Sequence, residues 1–200
     1  MEFREVLRRR RMVRRYDGRA IDPRALARVL DAGARAPSAG FSQGQDLVCV
    51  TDPATRDAVA RCCGEDRHVA RGRPPWVSAA PALIVPCVRP AVYTERYAEP
   101  DKARSGGPSA WAVPFWWVDG GATLMLLLLA AVDEGLAAGF LDVADREGLR
   151  DLLGIPADVE PLGVVTLGQR HPDERPVGSG VSRARRDPVH HERWGGTGAA

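Results

Sequence analysis

Arg8-Arg9-Arg10-Arg11-Met12-Val13-Arg14-Arg15-Tyr16 is the densest cationic run in the chain. Upstream of it, Phe3, Val6 and Leu7 recur at i, i+3 and i+4, so Glu2 to Arg11 can form a short helix with a narrow apolar face and arginines near its end. A guanidinium fork binds phosphate bidentately and keeps its charge, so two or three forks together can neutralise a phosphate dianion. Clustered arginine is also the electrostatic footprint of a nucleic-acid binder. Against that, the formal net charge is only +2 and no DNA- or RNA-binding motif accompanies the cluster. Lys102 is the only lysine, so arginine is favoured throughout and the cluster carries more meaning than any single member.

Downstream, Asp22-Pro23 reads as an N-cap and first helical residue, and Leu26, Val29, Leu30 and Gly33 keep helical spacing until Ala36-Pro37. Pro37-Ser38-Ala39-Gly40 is a turn of small residues through which backbone amides can approach a planar ring edge. Asp46 to Thr51 is a strand with a nearly continuous apolar run, and Asp52-Pro53 starts a helix to about Cys63. Gly64 to Pro75 reads as a surface loop. Ala82 to Val88 is a second strand, in which Pro86 predicts an edge position or a bulge near its end. Arg89 to Pro114 has no sustained period and reads as a long functional or mobile loop. A long central helix is predicted from Trp116 to Ala138, closing at Gly139, with Trp111, Phe115, Trp116 and Trp117 clustered at its start. A strand-like turn to Val143, a helix from Asp145 to Leu153 and a third strand from Glu160 to Gly168 follow. The tail from His171 is polar and basic.

Two hundred residues with 44% apolar content are enough for one domain, 1–200, able to bury roughly 70% of its unfolded surface. Cys49, Cys62, Cys63 and Cys87 lie in or beside apolar runs and read as reduced, buried thiols. Arg14-Arg15 interrupt any apolar core after the N-terminal arginines, so an export signal is not expected, and the expected location is cytoplasmic. Leu124 to Val132 falls short of the ~20 apolar residues that span a bilayer and reads as a buried core helix. The cysteines and histidines lack zinc spacing, and no nucleotide-binding glycine fingerprint occurs. Gly40-Phe41-Ser42-Gln43-Gly44 matches the Gly-x-Ser-x-Gly elbow of hydrolases, but here the order is helix, turn, strand, which does not present Ser42 at the top of a sheet.

Four motifs in order carry a family resemblance. Arg10 to Tyr16 resembles the Arg-Arg-Ser-x-Arg-x-Phe opening of the FMN-dependent nitroreductase superfamily. Ala36 to Gln43 resembles its Ala-Pro-Ser-x-x-Asn-x-Gln turn, and Asp119 to Gly139 its long helix ending in Glu-Gly-Leu-Gly. Leu153-Gly154-Ile155-Pro156 with Gly163 to Gly168 resembles its closing signature. The resemblance implies an α+β fold with a central, mostly antiparallel sheet flanked by helices. It also implies a homodimer with the long helix at the interface and the basic tail, about 171–200, packing on the partner. FMN would lie in that interface, contacted by Arg10, Arg11, Met12 and Arg14 on the phosphate and ribityl side. Pro37, Ser38, Ala39 and Gln43 would approach the ring, Ala138 and Gly139 its N5, and Arg185 or Arg186 the phosphate again. The implied chemistry is ping-pong hydride transfer between NAD(P)H, or a reduced substrate, and a small flat acceptor. No side chain is assigned as catalytic, because the cofactor carries the reaction. Departures from the family pattern are Met12 for Ser or Thr, Phe41 for Asn, and Gly44-Gln45 for Pro-Trp. A non-catalytic flavin-binding protein, a specialised dehydrogenase and a deazaflavin cofactor remain alternatives.

Overall fold

A computed structural model describes residues 1–102, 106–174 and 186–196. Its centre is β2 (Ala82–Val88), every residue of which is buried. Period-two alternation sends Ala82 and Ile84 to one face and Leu83, Val85 and Cys87 to the other, so both faces need cover. Helices α2 (Pro23–Ala34) and α6 (Phe115–Asp133) cover the first through Val29, Leu127, Leu128 and Ala131. The second is covered by α3 (Pro53–Cys62) and α7 (Arg146–Leu153), through Val59, Ala60 and Leu149. The sheet runs β1 (Gln45–Val50), β2, β5 (Val164–Gly168), β3 (Ala137–Leu141), and β4 (Glu160–Pro161) extends β5's side of β2. All ladder pairings are antiparallel. β1 and β3 are thus opposite edges.

Local chemistry sets the helix starts. Asp22, Asp52 and Asp145 each accept a hydrogen bond from a first-turn amide of α2, α3 and α7, from Arg24 (3.1 Å), Thr55 (2.8 Å) and Gly148 (2.9 Å). Proline follows the first two caps, where its missing N–H costs nothing.

Several expectations need correction. Pro86 is not at an edge: its carbonyl accepts from Leu162 N at 2.8 Å, so its missing donor faces the same side, where pairing passes from β5 to β4 and the ladder is interrupted. The long helix ends at Asp133, because Gly135 takes the left-handed conformation (φ 71°) and turns the chain, so Ala137, Ala138 and Gly139 belong to β3. Helices α4 (Glu65–Val69) and α5 (Pro90–Ala98) occupy the two segments read as loops, and α1 (Phe3–Arg9) ends before Arg10. Cys49 is exposed on β1, whereas Cys87 is buried; all four thiols are free. By length and composition α6 could cross a membrane, but it packs on α1, α2, β2 and β3 and forms a layer of this fold.

Candidate functional site

Residues 10–17 leave α1 and lie along the outer edge of β3. Val13 N donates to Ala138 O (3.0 Å), Asp17 N to Gln169 O (3.1 Å), and His171 N to Arg15 O (3.1 Å). Val13 and Tyr16 point inward and are buried, and the Tyr16 hydroxyl lies 2.6 Å from Thr166 Oγ1. Burial holds that phenol well above its ordinary pKa, so it is a neutral hydrogen-bonding group. Gly139 is required by the close approach of this arm. A Cβ there would overlap the Val13 carbonyl oxygen and stand 2.8 Å from Thr166 Oγ1 and 3.1 Å from the Trp76 ring.

Within the arginine run the charges are spent unequally. Arg8 and Arg9 both pair with Glu5 and stay on the solvent face of α1. Arg11 donates to the Arg8 carbonyl (2.6 Å) and the Arg10 carbonyl (3.0 Å), capping the helix end. The Arg14 guanidinium lies over the Trp76 ring, 5.7 Å from its centroid. Arg10, Arg11 and Arg14 form no ion pair among the described residues, whereas the nearby Arg170 is neutralised by Glu174 at 2.8 Å. Trp76 is itself fixed from below: the buried Glu65 carboxylate accepts from the amides of Trp76 (2.7 Å), Val77 (2.6 Å) and Ser78 (3.2 Å) and from the Ser78 hydroxyl (2.5 Å).

The second element is the turn between α2 and β1, whose centre is a single 3-10 turn over Ala39–Phe41. Gly40 (φ 63°), Phe41 (φ 57°) and Gln43 (φ 54°) are all left-handed, a conformation that is strained for the two non-glycine residues. At Gly40 a side chain is doubly excluded, since a Cβ would also stand 2.8 Å from the Tyr97 ring. Gln43 N donates to Ser38 Oγ (2.9 Å), Ser42 Oγ to Ala39 O (2.6 Å), Gln45 Nε2 to Pro37 O (2.9 Å), and Arg96 Nε to Gly40 O (2.8 Å). From α6, the buried Asp119 carboxylate uses Oδ2 to accept from Ala39 N (2.8 Å) and from the Tyr93 hydroxyl (2.8 Å). Burial and that bond to Asp119 raise the Tyr93 phenol far above its usual range. Among the described residues the Ser38 and Gly40 amides donate to no protein acceptor. Phe41 stands at the tip, 76% exposed.

Three members of the aromatic group are accounted for by packing. Trp111 meets Tyr97 (4.9 Å between ring centroids) and Phe115 (5.0 Å) edge-on, and Tyr93 meets Trp116 (6.1 Å). Trp117 points outward with Val118 and Met125, all three between 42% and 50% exposed, making an apolar stripe on α6.

The expected site residues fall into two groups that one chain does not bring together. Pro37, Ser38 and Gln43 line a cleft of about 800 Å³ between α2, the turn and β1, with Asp46, Arg89 and Thr123. Arg11 and Ala138 line another of about 240 Å³ at the β3 edge, with Arg9, Val13 and Arg170. No residue lines both. Met12 is exposed on the arm, and Ala39 sits between the turn and Asp119. Ala138 and Gly139, expected with free amides at a helix end, instead lie buried in β3, paired with Leu167 and Thr166. Arg186 is exposed; Arg185 lies outside the described residues. Sequence reasoning missed Asp119, Glu65 and Arg96. A lone acid in the otherwise apolar Trp116 to Ala122 segment was the visible sign of the first, and the other two sat in segments read as loops.

This arrangement of an antiparallel sheet with helices on both faces is a fold shared with solved nitroreductases. A Bacteroides thetaiotaomicron structure, provisionally named NADH dehydrogenase/NAD(P)H nitroreductase, superposes with a TM-score of 0.71 at 21% identity, covering 96% of this chain and 98% of that one. An FMN-dependent nitroreductase from Clostridium difficile R20291 gives 0.65 at 16% identity, over 88% and 91%. The sequence model of the Nitroreductase family matches residues 7–169, and the chain belongs to that family. A relative from Archaeoglobus fulgidus, also provisionally named NADH dehydrogenase/NAD(P)H nitroreductase, is 28% identical over 189 residues, 92% of this chain and 94% of its own length.

Proposed function

We propose that the chain is an FMN-dependent oxidoreductase of the nitroreductase type, working as a homodimer in which the arm of one chain and the turn of its partner enclose each flavin. The observation that carries the reading is the uncompensated charge of Arg10, Arg11 and Arg14 on a rigid arm. Guanidinium groups with no acid partner among the described residues, fixed along a strand edge and in one case over a tryptophan face, fit a phosphate dianion. The ring end has its own fit, because the Ser38 and Gly40 amides have no acceptor among the described residues and Ser38 lines the larger cleft. Ala138 and Gly139 enter as the edge on which the arm lies.

The same geometry supports a homodimer. The two groups flank opposite edges of the sheet, three strand spacings or about 14 Å apart. A two-fold axis brings one chain's arm to its partner's turn, and the apolar stripe of Trp117, Val118 and Met125, with Phe3 and Leu7 of α1, is the surface such a contact buries. The domain would then comprise all of 1–200, with the basic tail against the partner. When bound, the flavin supplies hydride transfer between NAD(P)H, or a reduced substrate, and a small flat acceptor such as a nitroaromatic, quinone, enone or oxygen. The chain's own work is to anchor the phosphate, orient the ring edge through fixed amides and exclude water with the aromatic group beside the turn.

The test is the visible spectrum of the purified protein after incubation with FMN and gel filtration, followed by anaerobic mixing with NADH and with NADPH. Retained flavin that bleaches with either nucleotide is expected. A colourless protein sinks the reading, and retained flavin that neither nucleotide bleaches favours the non-catalytic alternative.

A further inference from the structure

We infer that Asp119 is a positioning residue for the flavin-facing turn: by accepting the Ala39 amide it selects which amides of that turn are left to meet the ring. The inference rests on the flavin reading above and goes beyond it to a residue that touches neither flavin nor substrate.

Asp119 lies about one turn into α6 and is 7% exposed. A buried carboxylate is costly unless its oxygens are satisfied, and here one oxygen receives both Ala39 N and the Tyr93 hydroxyl, each at 2.8 Å. Tyr93 is fully buried on α5, and a Cβ on Gly44, just past the turn, would stand 2.5 Å from its ring. The turn is therefore held from α6 and α5 at once.

What is held is unusual. Left-handed residues at 40, 41 and 43 persist only where surroundings over-determine them, and such strain concentrates at functional positions. A plain connection from α2 to β1 needs none of it. With Ala39 N committed to Asp119, Phe41 N to Ser38 O (2.9 Å), Ser42 N to Ala39 O (3.2 Å) and Gln43 N to Ser38 Oγ (2.9 Å), the amides between residues 38 and 43 with no acceptor among the described residues are those of Ser38 and Gly40. Two donors two residues apart on a rigid turn fit the alternating acceptors along one edge of a flavin's pyrimidine ring. Release of Ala39 N would add a third donor between them and let the turn relax.

Ala39→Pro is the cleanest probe. It removes the donor and leaves Asp119 and Tyr93 in place, and Ser38 (φ −137°, ψ 140°) already has the extended conformation that a following proline requires. With FMN titrated by fluorescence quenching, Ala39→Pro and Asp119→Ala are each expected to weaken binding about tenfold, equivalent to one hydrogen bond's worth of pre-organisation. The double variant is expected to be no weaker than either single one, because both break the same link. Asp119→Asn keeps an acceptor for Ala39 N and is expected to restore most of the affinity. Wild-type FMN affinity in Ala39→Pro, or fully additive losses in the double variant, overturns the inference even if Asp119→Ala unfolds. Failure of the wild-type protein to bind FMN would instead sink the functional reading. In that event the positioning role is still read in the apo protein, from the Ala39 amide proton resonance, which should move upfield in Asp119→Ala; an unmoved resonance overturns it.

Discussion

Gly139→Ala adds one methyl group at the seam between the arginine arm and the sheet. In an ordinary strand this change stabilises, by about 0.5–1 kcal/mol, because alanine has less freedom to lose from the unfolded chain. Here the new carbon meets the Val13 carbonyl oxygen, Thr166 Oγ1 at 2.8 Å and the Trp76 ring at 3.1 Å. None of these yields easily. Thr166 Oγ1 is engaged by Tyr16, Trp76 is tied to Glu65 through its amide, and Val13 is backbone bonded to Ala138. Relief requires the arm to lift, which adds the loss of the Val13 to Ala138 bond, about 1 kcal/mol, to an overpacking cost of about 1–3 kcal/mol. The net expectation is a destabilisation of about 1–3.5 kcal/mol, or a fall in Tm of roughly 2–14 °C for a chain of this size. Differential scanning calorimetry of apo protein measures it, with FMN affinity on the same samples reporting arm displacement as weakened binding. A Tm at or above wild type would refute the claim that the arm is docked on β3 at this glycine.

Other expectations follow from the same contacts. Glu65→Ala leaves three amides and a hydroxyl without their acceptor and is expected to cost about 3 kcal/mol or more, read as a lower urea midpoint at unchanged m-value; an unchanged midpoint would contradict the buried-acceptor account. Arg10→Ala combined with Arg14→Ala is expected to weaken FMN binding at least a hundredfold with the far-ultraviolet circular dichroism unaltered, since each fork supplies charge-assisted bonds and neither is part of the core. Undiminished affinity removes the phosphate role. Arg96 hydrogen-bonds Asp101 and lowers its pKa from 3.8 to about 2 while also holding the Gly40 carbonyl. A depressed carboxylate contributes stability above its unfolded pKa and loses it as pH falls through the folded value, so wild type and Asp101→Asn should converge in stability between pH 4 and 2. Parallel curves across that window would show that the pair is idle.

Much of the fold was legible because its signals are local. The Asp-Pro starts of α2 and α3, the apolar runs of β1 and β2 and the order of motifs all survive in the structure. Of the two readings of Pro86, the edge position fails and the bulge near the strand's end holds, because residues 85–86 face the three residues 162–164 where pairing passes from β5 to β4. The long helix was extended to residue 138 because Leu136, Ala137 and Ala138 continue its apolar composition, while Gly135 alone marks the stop. α5 was hidden by weak amphipathicity, its burial resting on Tyr93 alone. In the site, arm and turn were both visible as motifs, yet their separation to opposite edges is a property of strand order. In the sequence Asp119 only opens the long-helix motif, and the packed structure alone shows its carboxylate aimed at Ala39.

Mixed dimers test the central claim most directly. Arg10→Ala/Arg14→Ala lacks a working arm and Gly40→Val, which sets a branched side chain at φ 63° against Tyr97, lacks a working turn. Neither variant alone should retain FMN. If each flavin is enclosed by the arm of one chain and the turn of its partner, unfolding and refolding the two together in equal amounts regenerates one intact site in every mixed dimer, so about one site in four binds FMN. Recovery of FMN binding near that fraction is the predicted result, and a mixture as colourless as its parents would contradict the shared site.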